Sequence, residues 1–430
     1  MGNKSKTYKQ EITKEIGEPD SDWVKNAIDK ATQITVASHE EDLAKILIEK
    51  AFQTHKIVGI DFGIALAAAF DLFVAAEYYK SVTNTGWFYC PEGEPHLFFP
   101  FTNVCPRCVV TGKFRFESAN KPESGQIGQS TSRLLAIFLY QLFKRSSRTL
   151  IIYRGIEPVD MIIYDRQNNI VLLAEVKAAP LTTLALATVS EALQESIDGN
   201  LVFVSEHKPS TVPVLHTAEL FLSLPIVEED KTAIKLFSLG VRGTQDSLTW
   251  AYKRITDIVS TTQSFFEDYI KFWLVAYKSY ETRNEDKSNF YWLTNACGHP
   301  TPIPSGWKMR GGRNSGYESV SDGKTSVGMD RTDDIKKGIY QVLKIGAESK
   351  PRPSQFEVRT ALISNIHAVR HYPEYLTALD DVVWTLSKDK KVKKAEDLPP
   401  DAAIYNLFDG IISFTESHIR DEWISKNFQF

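Results

Sequence analysis

Two short apolar runs joined by a polar turn constrain the fold of this chain more than any other feature. The runs cover residues 161–164 and 170–174, and the turn between them, residues 165–169, contains two asparagines. Apolar runs of this length around such a turn are typical of a β-hairpin. The sequence therefore predicts a pair of antiparallel strands whose apolar side chains are buried in a core.

Charged residues stand at the open end of the predicted hairpin. Asp160 comes directly before the first run, and Glu175 and Lys177 follow the second. Side chains alternate between the faces of a strand, so Glu175 and Lys177 project from the same side, and the hairpin returns Asp160 beside them. Two carboxylates and an ammonium in one place can hold a hard divalent cation and position a water molecule. The alternative interpretation is an edge hairpin whose charged residues are merely solvated.

The segment from Pro158 to Lys177 resembles the active site of the PD-(D/E)XK nuclease superfamily, which includes most type II restriction endonucleases. Its surroundings are similar too, with a predicted helix at 126–144, a strand at 148–154, the hairpin, a helix at 186–197 and a strand at 201–204. Helix, three strands, helix and strand is the order of the superfamily's core. The resemblance therefore implies an α/β fold with a mixed central sheet flanked by helices. One departure is that Val159 separates the Pro and Asp that are adjacent in the family.

The resemblance also implies a role for each residue of the motif. Asp160 and Glu175 would bind Mg²⁺, with the main-chain carbonyl of Val176 as a further ligand. Lys177 would orient or help to deprotonate the attacking water. Many members add a Glu or Gln from the preceding helix, and Gln129 is the first candidate for that place here. The other candidates are Gln126 and Glu123.

Length and composition set the scale of the molecule. A chain of 430 residues with 43% hydrophobic and 24% charged residues is globular and long enough for two or three domains. The expected segments are a helical N-terminal region at 1–85, a zinc-binding ribbon-like module at 86–117, the nuclease core at 118–240 and a mostly helical C-terminal region at 241–430. The predicted fold class is thus a restriction-endonuclease-like α/β core with helical N- and C-terminal regions and a small zinc-ribbon-like insertion.

Apolar periodicity predicts further helices. They are expected at 22–79, 246–280, 333–345, 357–369 and 402–423. Residues 57–79 are the most apolar segment, but Asp61, Asp71 and Glu77 interrupt it. Its longest uncharged run is far below the ~20 residues that a membrane span needs. We interpret it as a buried core helix and expect a cytoplasmic protein that has no membrane partner.

Three of the four cysteines and one histidine are clustered within residues 90–108. A C-x₂-C pair presents two thiolates to one ion, and tetrahedral zinc takes four Cys or His ligands. The expected ligands of a structural zinc ion are Cys90, His96, Cys105 and Cys108. Cys297 or His299 is the alternative fourth ligand. A redox role is less favoured because a redox C-x₂-C pair normally opens a helix, whereas residues 109–111 are typical of a strand.

Candidate DNA contacts lie in a loop near 300–330 that is rich in glycine and basic residues. Glycine lets a backbone approach phosphate closely, and arginine can donate two hydrogen bonds to a guanine edge. The candidates are Lys308, Arg310, Arg313, Asn314, Lys324, Arg331 and Lys336. The alternative is a solvated loop, which is also the favoured interpretation of a second basic run at 388–394. Because the net charge is −4, DNA affinity must come from local patches.

These features together predict a type II restriction endonuclease that hydrolyses double-stranded DNA with Mg²⁺ and carries a structural Zn²⁺. A C2 homodimer is expected, because two copies most simply cut both strands of a symmetric site. No nucleotide cofactor is expected, since the sequence contains no Walker loop or dinucleotide fingerprint. The alternatives are another PD-(D/E)XK nuclease, of repair or of a mobile element, and a non-enzymatic zinc-bearing DNA-binding protein. His367 and His371, on one predicted helix face, are expected to be structural or partner-facing.

Overall fold

The computed structural model describes residues 22–90, 92, 96–112, 115–117, 119–122, 124–189, 194–197, 200–203, 214–228, 231–243, 248–283, 289–296, 327–330, 332–379, 384–385, 400 and 403–430. Its α-helices are α1 (Trp23–Lys30), α2 (Ser38–Val58), α3 (Phe62–Tyr79), α4 (Pro106–Val110), α5 (Ser124–Arg145), α6 (Val214–Thr217), α7 (Trp250–Thr261), α8 (Phe265–Glu281), α9 (Thr332–Ser349), α10 (Tyr372–Tyr375) and α11 (Glu422–Phe428). Its strands are β1 (Thr32–Gln33), β2 (Phe88–Cys90), β3 (His96–Phe99), β4 (Leu150–Arg154), β5 (Met161–Asp165), β6 (Ile170–Val176), β7 (Ala185–Val189), β8 (Gln194–Ile197), β9 (Asn200–Phe203), β10 (Glu219–Glu228), β11 (Lys231–Val241), β12 (Glu357–Ile363), β13 (Trp384–Thr385), β14 (Ile404–Tyr405), β15 (Gly410–Ile412) and β16 (His418–Ile419).

A mixed seven-stranded sheet carries the predicted hairpin, in the strand order β1-β4-β5-β6-β12-β15-β16. Strands β1, β4, β5 and β6 pair with one another in antiparallel fashion. Strand β12 is parallel to both of its neighbours, β6 and β15, and the edge strand β16 is antiparallel to β15. The hairpin is β5 and β6, with Met161 opposite Ala174. Strands from the segments 1–85, 118–240 and 241–430 therefore share one sheet.

Helices cover both faces of this sheet, so the architecture is α/β. Ile163 and Leu172 of the hairpin belong to the largest apolar cluster, to which α3 and α5 also contribute. Ile162 and Leu173, their neighbours along the same strands, pack on the opposite side with Ile345 of α9. Strand side chains alternate between faces, and both sets are apolar here because both faces are covered.

A second sheet has five antiparallel strands in the order β11-β10-β7-β3-β2, of which β2 and β3 precede the hairpin in the chain and the other three follow it. The connection from β6 into this sheet is anchored by Asp71 of α3. Its Oδ2 accepts hydrogen bonds from the N–H groups of Leu181 and Thr182, both at 2.9 Å, and from the Trp273 indole at 2.7 Å. Burial raises the pKa of Asp71 to about 8, against the opposing effect of these donors.

Helix α3 is long and apolar enough to cross a membrane, but 83% of it is buried inside the fold. It packs against α2, α5, α7 and α8. Gly59, with φ of 73°, ends α2 and separates it from α3. The prediction that this apolar segment forms a core helix is confirmed, since most of α3 is buried among other helices.

Several elements next to the hairpin agree with the sequence, and one does not. The helix predicted at 126–144 is α5, and the predicted strands at 148–154 and 201–204 are β4 and β9. The helix predicted at 186–197 is wrong, because this segment contains β7 and β8. Leu186, Ala187 and Thr188 are all buried between β3 and β10. A strand covered on both faces lacks the alternation that distinguishes it from a helix.

Two helices predicted near the C-terminus are also wrong. Residues 357–363 form β12, a strand with neighbours on both sides, in which Thr360 to Ile363 are all buried. The segment 402–423 contains β14, β15 and β16 before α11 begins. Gly410 there adopts φ of 155°, and a Cβ on it would lie 2.7 Å from the carbonyl oxygen of His418. That close approach of two strands requires glycine.

The remaining helical predictions hold in outline. The segment 246–280 is two helices, α7 and α8, with a break at 262–264, and the helix predicted at 333–345 is α9. Helix α9 packs on β6 and β12. In chain order, α5 is followed by the antiparallel strands β4, β5 and β6. After strands of the second sheet and helices α7 and α8 come helix α9 and the parallel strand β12, which returns to the first sheet.

Candidate functional site

Asp160 lies where the hairpin opens. Its main-chain N–H donates to the carbonyl oxygen of Ala174 at 3.0 Å, which extends the β5–β6 pairing by one residue. Its Oδ2 accepts a hydrogen bond from the N–H of Val176 at 3.0 Å. Both bonds are made inside the hairpin, so local sequence suffices to hold the Asp160 carboxylate next to the end of β6.

The loop that delivers Asp160 depends on Gly155. The N–H of Gly155 donates to the carbonyl oxygen of Asp160 at 3.0 Å. A Cβ on Gly155 would lie 2.1 Å from the carbonyl oxygen of Val159, so any larger residue would displace the loop. This glycine lets the chain turn back from β4 and present the carboxylate at the strand end.

Glu175 and Lys177 complete a cluster of three charged side chains. The carboxylate of Glu175 is 6% exposed and accepts a hydrogen bond from the Lys177 ammonium, which is 23% exposed. Burial, with the nearby Asp160 carboxylate as the second cause, raises the pKa of Glu175 to about 7, whereas Lys177 opposes that rise. The structure thus brings together the three residues that the motif singles out. Two carboxylates in contact without a bound cation favour sharing a proton, and a divalent cation can take the place of that proton.

Strand β12 and helix α9 close the cluster from the other side. The N–H of Lys177 donates to the carbonyl oxygen of Ile363 at 2.9 Å, which continues the β6–β12 ladder. A Cβ on Gly338 of α9 would lie 2.9 Å from Leu362 and 3.7 Å from the Lys177 stem. The absence of a side chain at Gly338 therefore lets α9 lie close to the sheet beside Lys177.

A cleft of about 1080 Å³ opens over Asp160, Val176 and Lys177. Gln129 of α5 also lines it and is exposed, whereas Gln126, exposed on the same helix, does not line it. Glu123 lies outside the described residues. The position of Gln129 is compatible with the supplementary role that the motif implies.

Four other charged residues line this cleft and were not among the predicted site residues: Arg133, Arg154, Glu157 and Asp334. Arg154 is the last residue of β4 and lies opposite Met161, next to Asp160. Counting the β4–β5 register from the hairpin would have found it. Asp334 belongs to the first turn of α9 and could not be found from local sequence, because α9 reaches the cleft only through the long insertion.

The predicted DNA contacts are mostly beyond the described part of the chain. Lys308, Arg310, Arg313, Asn314, Lys324 and Arg331 lie outside the described residues, as do residues 388–394. Lys336 is described: it is exposed on α9, and its ammonium lies 4.8 Å from the centre of the Tyr375 ring. It does not line the cleft.

A second cluster, at the five-stranded sheet, consists of Cys90, Cys105 and Cys108. All three are buried, and their sulfur atoms lie within 4.8 Å of one another, so this group could hold a metal ion. The Sγ atoms of Cys90 and Cys108 are 3.8 Å apart. Hydrogen bonds from the Cys105 and Cys108 thiols lower the pKa of Cys90, whereas the Cys108 and Cys90 sulfurs raise the pKa of Cys105. One thiolate shared among three sulfurs is a natural starting point for a metal ligand set.

The other expected zinc ligand contacts a different partner. His96 is paired with Cys90 across β2 and β3, but its Nδ1 lies 2.6 Å from a guanidinium nitrogen of Arg107. An arginine only donates hydrogen bonds, so this Nδ1 is an acceptor and is not directed at the thiols. Cys297 and His299 lie outside the described residues.

The segment after the C-x₂-C pair differs from its prediction. Residues 106–110 form the short helix α4 and not a strand, with Cys105 at its N-cap. The sequence argument against a redox pair therefore fails. The burial of all three cysteines still favours a metal site, because redox cysteines are accessible to solvent.

His367 and His371 do not share a helix, because β12 ends at Ile363 and α10 begins at Tyr372. The Nδ1 of His371 lies 2.8 Å from Oδ1 of Asp330. Asp330 also pairs with Arg283 at 2.8 Å, and its carboxylate is fully buried. His371 is thus part of a buried network. His367 lies in a different group, near Glu416 and His418.

No protein-family model, no curated protein and no solved structure matches this chain. Its geometry alone must therefore support any functional proposal.

Proposed function

We propose that this protein is a Mg²⁺-dependent nuclease of the PD-(D/E)XK type that hydrolyses double-stranded DNA at specific sequences, as type II restriction endonucleases do. The observation that carries the proposal is the convergence of Asp160, Glu175 and Lys177 on one side of a large cleft. Charged side chains at the end of a buried strand are costly unless they pair or bind a ligand.

The order of elements around the cluster supports the proposal. Helix α5, the antiparallel strands β4 to β6, helix α9 and the parallel strand β12 reproduce helix, three strands, helix and strand. The last two elements of this order come from residues 332–363 and not from residues 186–204. The resemblance therefore extends beyond the motif to the topology around it.

The residues of the cluster fit a magnesium ion. Asp160 and Glu175 offer carboxylate oxygens, which are the ligands that Mg²⁺ prefers, and Val176, whose main-chain carbonyl is the further ligand that the motif implies, directly follows Glu175. When bound there, Mg²⁺ would supply Lewis-acid stabilisation of the charge that develops on the scissile phosphate. Asp160 and Glu175 would hold the ion, and the β6–β12 ladder fixes the strand that carries Glu175 and Lys177.

Lys177 has a separate task in the proposed reaction. Its ammonium donates to Glu175 and remains partly exposed to the cleft. From that position it orients the attacking water and stabilises negative charge on the phosphate. Arg154 stands exposed at the same end of the sheet and lines the same cleft, so it is an additional cation for the DNA backbone.

We extend the proposal to the oligomeric state of the protein and to the metal ion of the cysteine cluster. A symmetric DNA site cut on both strands is most simply served by two copies of the chain, so we propose a homodimer. We also propose Zn²⁺ as the ion for the cysteine cluster, because zinc is the usual partner of buried thiolate groups. Its fourth ligand is then sought among residues other than His96.

The test is digestion of a plasmid of known sequence, prepared without host methylation, in the presence of Mg²⁺. Wild-type protein is expected to give discrete fragments whose ends map to one sequence. Asp160→Asn and Lys177→Ala should abolish cutting while DNA binding, measured with Ca²⁺ in place of Mg²⁺, is kept. Asp29→Asn and Lys45→Ala, at exposed positions outside the cleft, are the matched controls and should cut normally.

Each other outcome has a clear meaning. Cutting at ends, junctions or nicks and not at one sequence would indicate another PD-(D/E)XK nuclease. Binding of DNA without cutting by the wild type, at any divalent metal, would favour a non-enzymatic DNA-binding protein. Equal cutting by wild type and Lys177→Ala would refute the site.

A further inference from the structure

A third group of chemistry-bearing side chains lies away from both sites above. His367 follows β12, His418 begins β16, and Glu416 lies in the turn between β15 and β16. One ligand atom from each of the three lies within 4.8 Å of the others. None of them lines the cleft, and none belongs to the apolar cluster that contains the cysteines.

The distances among these side chains suit a transition-metal ion. The Nε2 of His418 is 2.9 Å from one carboxylate oxygen of Glu416, and the Nε2 of His367 is 4.0 Å from the other. Zinc binds nitrogen and oxygen at about 2.0–2.2 Å, so two ligands of a tetrahedral site are about 3.4 Å apart. Small side-chain movements would therefore bring the three groups to ligand distance.

The backbone around the group is already fixed. The N–H of Ser413 donates to the Ser417 hydroxyl at 2.9 Å, and the N–H of Glu416 donates to the Ser413 hydroxyl at 3.1 Å. The N–H of His367 donates to the Thr415 hydroxyl at 2.9 Å. The loop after β12 and the β15–β16 turn are thus held together before any ion binds, which lowers the entropic cost of binding.

The imidazole of His367 provides an independent indication of a ligand. Its side chain is only 5% exposed, and its Nδ1 has no hydrogen-bond partner among the described residues. The Nε2 of His418, which faces the Glu416 carboxylate at 2.9 Å, is likewise buried and has no hydrogen-bond partner among the described residues. A buried imidazole nitrogen without a hydrogen-bond partner raises the free energy of the folded state. A metal ion bound to the imidazole would offset that penalty.

We propose that His367, Glu416 and His418 form a binding site for Zn²⁺ or a similar borderline transition-metal ion. Two imidazoles and one carboxylate match the preferences of such ions, and the exposure of Glu416 leaves the fourth position to water. The ion would fasten the loop after β12 to the β15–β16 turn. Because β12 also hydrogen-bonds to Lys177, the site would stiffen the strand that supports the cleft.

The experiment measures Zn²⁺ bound per chain by mass spectrometry of the metal after dialysis against buffered free Zn²⁺. Glu416→Gln and His418→Ala are expected to bind about one ion fewer than the wild type, with affinity at least ~10-fold weaker at that site. Glu422→Gln and His216→Ala, also at exposed positions, are the matched controls and should bind as the wild type does. Circular dichroism checks that every variant is folded.

Two further readings separate this site from the cysteine cluster. Co²⁺ bound here should lack the sulfur-to-cobalt charge-transfer absorption that a thiolate site gives, and that thiolate absorption should survive in both variants. Zn²⁺ should raise the melting temperature of the wild type more than that of Glu416→Gln. Equal Zn²⁺ uptake by wild type and both variants would overturn the proposal and leave three neighbouring side chains that bind no metal. Neither result depends on nuclease activity.

Discussion

The cluster at the cleft and the cysteine cluster differ in how far their reactive side chains are exposed to solvent. Asp160 is exposed, and Lys177 is partly so, beside a cleft of about 1080 Å³. The three cysteines are buried, with aromatic side chains of β2 and β3 packed around them. A site open to water can bind and release a substrate, whereas a closed site can only hold a structural ligand such as a metal ion.

The two regions also differ in their cost to the fold. At the cleft, burial of Glu175 beside a second carboxylate is unfavourable, as the rise of its pKa indicates. In the cysteine cluster, thiols are apolar enough to be buried without a comparable penalty. A cost in stability at the first cluster is what the proposed catalytic role requires, whereas a metal bound at the second would add to stability.

The largest effect is expected from Glu175→Gln. This change keeps the shape and removes one proposed magnesium ligand, so the cleavage rate should fall by on the order of 10³-fold. The melting temperature at pH 8 should stay the same or rise, because a carboxyl group with a raised folded-state pKa destabilises the fold when it ionises. Single-turnover cleavage and thermal unfolding measure the two effects. A fall in both would mean that Glu175 is structural.

The cysteine cluster should give the reverse pattern. Cys105→Ser is expected to reduce the bound zinc by about one ion per chain and to lower the melting temperature by several degrees. Cleavage per folded molecule should be close to that of the wild type. Metal analysis and calorimetry, with and without a chelator, measure this.

Cys297 provides the control for that experiment. If Cys297→Ser leaves zinc binding intact, the fourth ligand is not Cys297. If it loses zinc as Cys105→Ser does, Cys297 completes the set. Retention of all bound zinc by Cys105→Ser would contradict the cluster as a metal site.

The sequence predicts the first half of the cleft well because that half is local. Hairpin pairing alone aligns Asp160 with the end of β6, and the Asn-containing turn fixes the register. The second half is not local. Strand β12 pairs with β6 across a long insertion, and its buried Thr360 to Leu362 have no alternation to mark them as a strand.

Tertiary contacts also explain the errors at the second sheet and the cysteines. Leu186 and Ala187 are buried because β3 and β10 lie on either side of β7, which no local pattern reveals. Valines at 109–110 favour a strand by propensity, but Pro106 starts a helix and the cluster packs against it. In both segments tertiary packing, and not local propensity, decided the secondary structure.

A smaller effect is expected from Asp71, which fastens the connection between the two sheets. Its pKa is raised by burial from 3.8 to about 8, so its contribution to stability is fully present below pH 4 and is lost as the pH rises towards 8. Asp71→Asn should therefore flatten the pH dependence of the free energy of unfolding between pH 5 and 8, by about 1.4 kcal/mol per pH unit at most. Denaturant unfolding across this range measures it. An unchanged slope would mean that the N–H donors keep the carboxylate ionised.

The smallest effect is expected from Gln129, which touches the cleft from α5 and holds no charge. Gln129→Ala should lower the cleavage rate by roughly 10-fold or less, because a neutral side chain can only support the metal or water through a hydrogen bond. Gln126→Ala is the matched control, since Gln126 is equally exposed on the same helix but does not line the cleft. Steady-state cleavage at saturating Mg²⁺ compares the two. If both variants cut at the same rate, only Asp160, Glu175 and Lys177 take part in the proposed reaction, and α5 contributes only to the shape of the cleft.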